Sequence, residues 1–80
     1  MTSPELAAAI AAVTRVIARS HPHPALIHAG TVLEEVDVQS TDMIEILVEL
    51  ESDLGGAVVT DDLSSVRTVA DLAAVPRIPI

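Results

Sequence analysis

Met43, Ile46, Leu47, Leu50 and Leu54 are spaced so that an α-helix gathers them onto one side. At about 100° per residue they fall within one arc of roughly 100°. Asp42, Glu45, Glu49 and Asp53 fall on the opposite side, and Gly55-Gly56 supplies a stop. The run from Ser40 to Leu54 is therefore expected to be an amphipathic helix with one face committed to a core. A chain of 80 residues around such a helix has room for one small core. Half its residues are apolar, but 12 of those are Ala and none is Phe, Tyr or Trp, so Leu, Ile, Val and Met must fill the interior. A core that small leaves no space for a deep catalytic cleft.

The rest of the chain reads as further helices joined by loops. Ser3 offers an N-cap, Pro4 suits the first helical position, and Glu5 complements the helix dipole. Leu6, Ile10, Val13 and Ile17 recur at helical spacing, which predicts a helix over about 4–19 with those residues inward. Pro22 and Pro24 end it. Residues 21–39 form a long connection. It includes an expected helical turn at Ala25-Leu26-Ile27-His28 and an extended loop from Thr31 to Val38 whose valines and Leu33 tuck against the helices. After the helix over 40–54, Ala57-Val58-Val59 reads as a linker. Thr60-Asp61-Asp62 caps a brief helix over about 61–66, and Thr68 caps a last one over 68–75 with Val69 and Leu72 inward. Pro76 and Pro79 make 76–80 a flexible, non-helical tail. The expectation is one domain over 1–80: all-α, a small four-helix bundle with a long first loop and a short third helix.

Charge narrows the partners. The net charge is −8, all four basic residues are Arg, and none lies between Arg19 and Arg67. That interval holds ten carboxylates. Such a field repels nucleic acid and anionic lipid and attracts basic protein surfaces. No apolar stretch approaches the ~20 residues that span a membrane. No leader pattern is evident at the N-terminus, and there is no Cys, which removes disulfides, thiolate metal sites and a Cys nucleophile. A cytoplasmic location fits these features.

Ser40 heads the acidic helix and follows the long loop. One role for it is capping, shared with Thr41. The other is attachment of a covalent group, which needs only exposure and an enzyme that recognises the surroundings. No base accompanies it, so a hydrolase using Ser40 is the weakest reading. Ile44 and Val48 lie outside the core arc, with Ser40 and Thr41 above and Glu51 below. They either widen the core stripe under the loop or form an apolar strip for a partner, rimmed by carboxylates. His21, His23 and His28 lack a further defined ligand, so no metal site is expected.

From Leu33 to Leu54 the chain resembles the acyl carrier proteins, whose pattern is an acidic loop ending in Asp-Ser-Leu and then an acidic recognition helix. The long first loop, the short third helix and the closing Thr-Val-Ala-Asp-Leu are similar too, so the resemblance covers about Glu5 to Val75. It implies the four-helix carrier fold. It also implies that Ser40 takes the place of the serine that receives 4'-phosphopantetheine from coenzyme A. The protein would then be a non-catalytic monomer presenting acyl thioesters to enzymes of a dissociated polyketide or fatty-acid pathway. The implied partners are a phosphopantetheinyl transferase, an acyltransferase or acyl-activating ligase, a ketosynthase and others with basic docking surfaces. By the same resemblance Gln39, Thr41, Asp42, Ile44, Glu45, Val48, Glu49 and Glu51 face partners. Ile46, Leu47, Leu50 and Leu54 match the interior that encloses part of an acyl chain.

The chain departs from the family at three places. Gln39 stands for the Asp before the serine, Thr41 for the Leu after it, and Asp37 where Gly is common. The alternative reading is a carrier-like interaction module that bears no arm.

Overall fold

The computed structural model describes residues 3–19, 26–58 and 65–78. These form a mostly helical globule with three α-helices: α1 (Pro4–Ala18), α2 (Ser40–Leu54) and α3 (Val69–Ala73). A two-residue antiparallel ladder joins β1 (Ala57–Val58) to β2 (Arg77–Ile78), with Ala57 opposite Ile78 and Val58 opposite Arg77. The expected helix over 61–66 lies mostly outside the described residues. Its last residue, Val66, packs half-buried against the core.

α1 starts where its sequence directs. The Ser3 hydroxyl accepts the Leu6 N–H at 3.1 Å, and Pro4 fills the first helical position. Its buried residues are Ala9, Ala12, Val13, Val16 and Ile17, while Leu6 and Ile10 lie half-buried at the margin. The expected inward residues Leu6, Ile10, Val13 and Ile17 thus all lie on the core side, with Ala9, Ala12 and Val16 added to it. The reason is that α1 packs against both α2 and α3 and so buries a wider face, including two alanines. Small side chains there let neighbouring elements approach closely, which suits a core that has no aromatic residue.

The long connection is more structured than an extended loop. Ile27 is buried and Leu26 is exposed, and neither is helical; the turn falls at Ala29-Gly30 instead. It is closed reciprocally: the His28 N–H donates to Thr31 Oγ1 at 2.9 Å and the Thr31 N–H to the His28 carbonyl at 3.1 Å. Thr31 is buried, and its hydroxyl is satisfied by that contact. Leu33–Val36 then forms a 3₁₀ turn with Leu33 in the core. The segment is tied to the start of α3. Leu33 N–H donates to Arg67 O (2.8 Å), Val69 N–H to Thr31 O (3.1 Å) and Ala70 N–H to Ala29 O (2.9 Å). A one-residue bridge, Val32 with Thr68, completes the seam. Strand-like residues thus satisfy their backbone without a sheet.

α3 is short and is held by a reciprocal cap. Thr68 Oγ1 accepts the Asp71 N–H, while Asp71 Oδ2 accepts the N–H groups of Thr68 and Arg67, each at 3.1 Å. Val69 and Leu72 are fully buried beneath it. After α3, residues 77–78 are not a free tail. Pro76 forbids helix but permits extended backbone, and the residues behind it pair with β1.

Two tests follow. Ile46 has no exposed surface, whereas Ile44 is 58 % exposed two residues away. Ile46→Ala should cost about 2–5 kcal/mol in urea unfolding, and Ile44→Ala should stay within about 0.5 kcal/mol of wild type. The second test concerns acid. Hydrogen bonds from the Arg67 and Thr68 N–H groups hold the Asp71 carboxyl below its ordinary 3.8. A depressed carboxyl stabilises the fold above its unfolded value, and that stability is lost as pH falls through the folded one. The stability gap between wild type and Asp71→Asn should therefore be full above pH 3.8 and close as pH falls further. A gap that does not change with pH would contradict the cap.

Candidate functional site

The head of α2 is assembled by a cap that leaves Ser40 out. Gln39 is the N-cap, in extended conformation, and its N–H donates to Asp42 Oδ2 at 3.1 Å. The Gln39 carbonyl takes the first helical hydrogen bond, from the Met43 N–H at 2.9 Å. Neither Ser40 nor Thr41 is the cap, because an acidic residue three positions after Gln39 reaches back to the same backbone. Ser40 is the first helical residue, exposed, and no hydrogen bond engages its hydroxyl among the described residues.

Asp37 aims the chain into this cap. It closes the 3₁₀ turn with φ 62° and ψ 29°, the left-handed conformation that favours glycine. Asp tolerates this region better than most side chains do. The turn reverses the chain so that the Val38 N–H donates to Leu33 O at 3.1 Å. Ser40 then lies on the lip of an open-sided groove of about 720 Å³. Val32, Leu33, Val38, Met43 and Val66 supply its apolar wall, and Glu34, Gln39 and Arg67 are its other polar lining.

α2 itself presents three different faces. Ile46 and Leu50 are buried with Met43, while Leu47 and Leu54 are half-buried against the same cluster. Ile44 and Val48 are 58 % and 59 % exposed and take no part in that cluster, so they do not widen the core stripe. Thr41 and Gln39 are exposed beside Ser40, and Asp42 and Glu51 are half-buried.

The third face meets α1. Arg15 Nε donates to Glu49 Oε2 at 3.2 Å and its Nη2 to Asp53 Oδ2 at 2.8 Å. Arg19 pairs with Glu45, and with Glu49 at 3.6 Å. The bonds to Asp53, and then to Glu49, push the Arg15 pKa up. Glu45 and Glu49, expected to face partners, are thus engaged within the molecule. The signal was in the spacing: two arginines four apart on α1 face carboxylates at four-residue intervals on α2. A helical angle gives a side chain's direction but not which neighbour stands there. These pairs are exposed or half-exposed, so solvent screens them and each adds little to stability. The residue that sequence reasoning missed is Arg67, brought to the groove by its contact with Leu33, with no local motif to mark it.

Among the described residues no His, Asp and Glu side chains gather in a group of three or more able to hold a metal ion, and no helix is long and apolar enough to cross a membrane. His21 and His23 lie outside those residues. Compared with known proteins, the chain matches no family model, no curated protein and no solved structure.

The positive φ at Asp37 is testable by substitution. Asp37→Val should be less stable than Asp37→Gly by about 1–2 kcal/mol, both read from urea unfolding. Equal stability of the two variants would rule out the left-handed turn.

Proposed function

We propose that the chain is an acyl carrier protein of the free-standing, four-helix type, modified on Ser40 with 4'-phosphopantetheine. The observation that carries this reading is Ser40 itself. Its hydroxyl is exposed, is left out of the cap, and stands between a groove and the exposed pair Ile44 and Val48. A serine at a helix head ordinarily has a capping role. Here Asp42 supplies the carboxylate that reaches back to the cap, so the hydroxyl is available for chemistry. Asp37 adds support: the position where the carrier family favours Gly adopts a backbone conformation that favours Gly.

The residues fit the arm. The groove beside Ser40 is open-sided and has an apolar wall, which suits an extended linear chain better than a compact substrate. The Ser40 Oγ forms a bond to the phosphorus that bears pantetheine in coenzyme A. The P–O bond to 3',5'-adenosine bisphosphate breaks, and the serine proton passes to a base on the transferase. When bound, the arm supplies a terminal thiol that carries an acyl group as a thioester. The chain's own residues present and orient. Ile44 and Val48 give an apolar contact, and Asp42 and Glu51 lie at its border. The pathway is proposed to be of the dissociated polyketide or fatty-acid type, with transferase, acyl-loading enzyme and ketosynthase docking in turn. Tethering gives a high effective concentration, so each docking can be weak.

The second reading, an interaction module without an arm, is favoured by Gln39 and Thr41, which remove a charge and an apolar side chain beside Ser40. Intact mass after incubation with coenzyme A and a broad-range phosphopantetheinyl transferase separates the two. The expected result is one phosphopantetheinyl unit on wild type and none on Ser40→Ala. Ile44→Asp and Val48→Asp should each lower the transferase's kcat/KM about tenfold without loss of fold, as for central interface residues. No addition by any of several transferases would leave the module.

A further inference from the structure

Arg67 differs from the other arginines whose side chains are described. Arg15 and Arg19 are both paired with α2 carboxylates. Arg67 is exposed and makes no close ion pair among the described residues, its charge acting only at longer range on the Asp71 carboxyl. Its backbone is pinned on both sides, since its N–H donates to Asp71 Oδ2 at 3.1 Å and its carbonyl accepts the Leu33 N–H at 2.8 Å. The Leu33 carbonyl in turn accepts the Val38 N–H at 3.1 Å, two residues before Ser40. Backbone hydrogen bonds therefore fix where the Arg67 side chain begins, and Arg67 lines the same groove as Ser40.

Charge makes this placement consequential. Any anion joined to Ser40 enters a chain of net charge −8, beside Glu34 on the groove wall and Asp42 in the cap. Carboxylates on the same groove and cap oppose a phosphate there unless a cation offsets them. The guanidinium is the group suited to that task, because its planar fork donates two parallel hydrogen bonds to phosphate oxygens.

We propose that the Arg67 guanidinium binds the phosphodiester through which the arm is joined to Ser40, and so directs the arm along the groove. This rests on the carrier reading above. Lys at this position would supply charge without the fork and serve only in part. The free phosphate of a donor such as coenzyme A presents the same chemistry, but only the attached group is held beside Arg67 by a covalent bond.

The test uses the full chain, with and without the arm, as wild type, Arg67→Gln and Arg67→Lys. Thermal melting is followed at low and high salt, together with the phosphorus NMR resonance of the attached arm. The arm should raise the wild-type Tm relative to Arg67→Gln by about 2–4 °C at low salt. High salt should shrink that difference, and Arg67→Lys should fall between. The unmodified forms should melt together, and the phosphorus resonance should move between wild type and Arg67→Gln. If unmodified Arg67→Gln melts well below wild type, Arg67→Lys and the salt dependence of the wild-type resonance carry the test. An armed protein whose melting and phosphorus resonance ignore Arg67 and salt overturns this assignment alone. A chain that accepts no arm overturns the carrier reading and this assignment with it.

Discussion

The seating of α1 between α2 and α3 is the constraint on which the rest of this structure depends. The interior has no aromatic side chain, so its stability comes from many aliphatic contacts at close range. Ala9 and Ala12 are fully buried on α1, and Val13, Ile46, Val69 and Leu72 are the bulkiest side chains sealed inside. Substituting any of these four changes a volume that nothing nearby can easily refill. Arg15 and Arg19 lie along the α1–α2 contact and reach the carboxylates of α2. Their pairs add little energy one by one, but they offset two of the three negative charges on that face.

That seating decides what α2 shows to the outside. Ile46 and Leu50 point into the core and Glu45, Glu49 and Asp53 point at α1, so the remaining side carries Ile44 and Val48. Exposed aliphatic residues are common, and a single one means little. Two on adjacent turns of one helix, below an exposed serine that the cap does not use, form the apolar surface that the proposed carrier reading assigns to a partner. The acidic character of α2 is accordingly uneven. Three of its carboxylates are paired with Arg15 and Arg19, and those bordering the apolar pair are Asp42, which is half-buried and tied into the cap, and Glu51. Steering of a basic partner would then draw on the whole field of a chain of net charge −8 more than on the carboxylates opposite the core stripe.

How much was legible beforehand varies by element. The bounds of α2 could be read because strong periodicity ends at two glycines, both with positive φ. α3 could be located by Thr68 and Asp71, a cap that acts within four residues. The inward face of α1 was read too narrowly, because periodicity ranks residues by hydrophobicity and passes over alanine. The Leu33–Val36 turn was read as extended, since β-branched residues favour strands when a partner exists. Here the partner is the start of α3, more than thirty residues away in sequence. The pairing of β1 with β2 was hidden for the same reason.

By itself the sequence determined the local events: where α2 begins and ends, which of its residues are apolar, and that a serine stands at its head in an acidic setting. These depend on interactions within a few residues, which a linear chain displays. Only the tertiary structure decided which apolar residues are covered, which carboxylates are paired, and that Arg67 shares a groove with Ser40. Those outcomes depend on which neighbour packs against each face. Close packing, which no local pattern encodes, selects that neighbour.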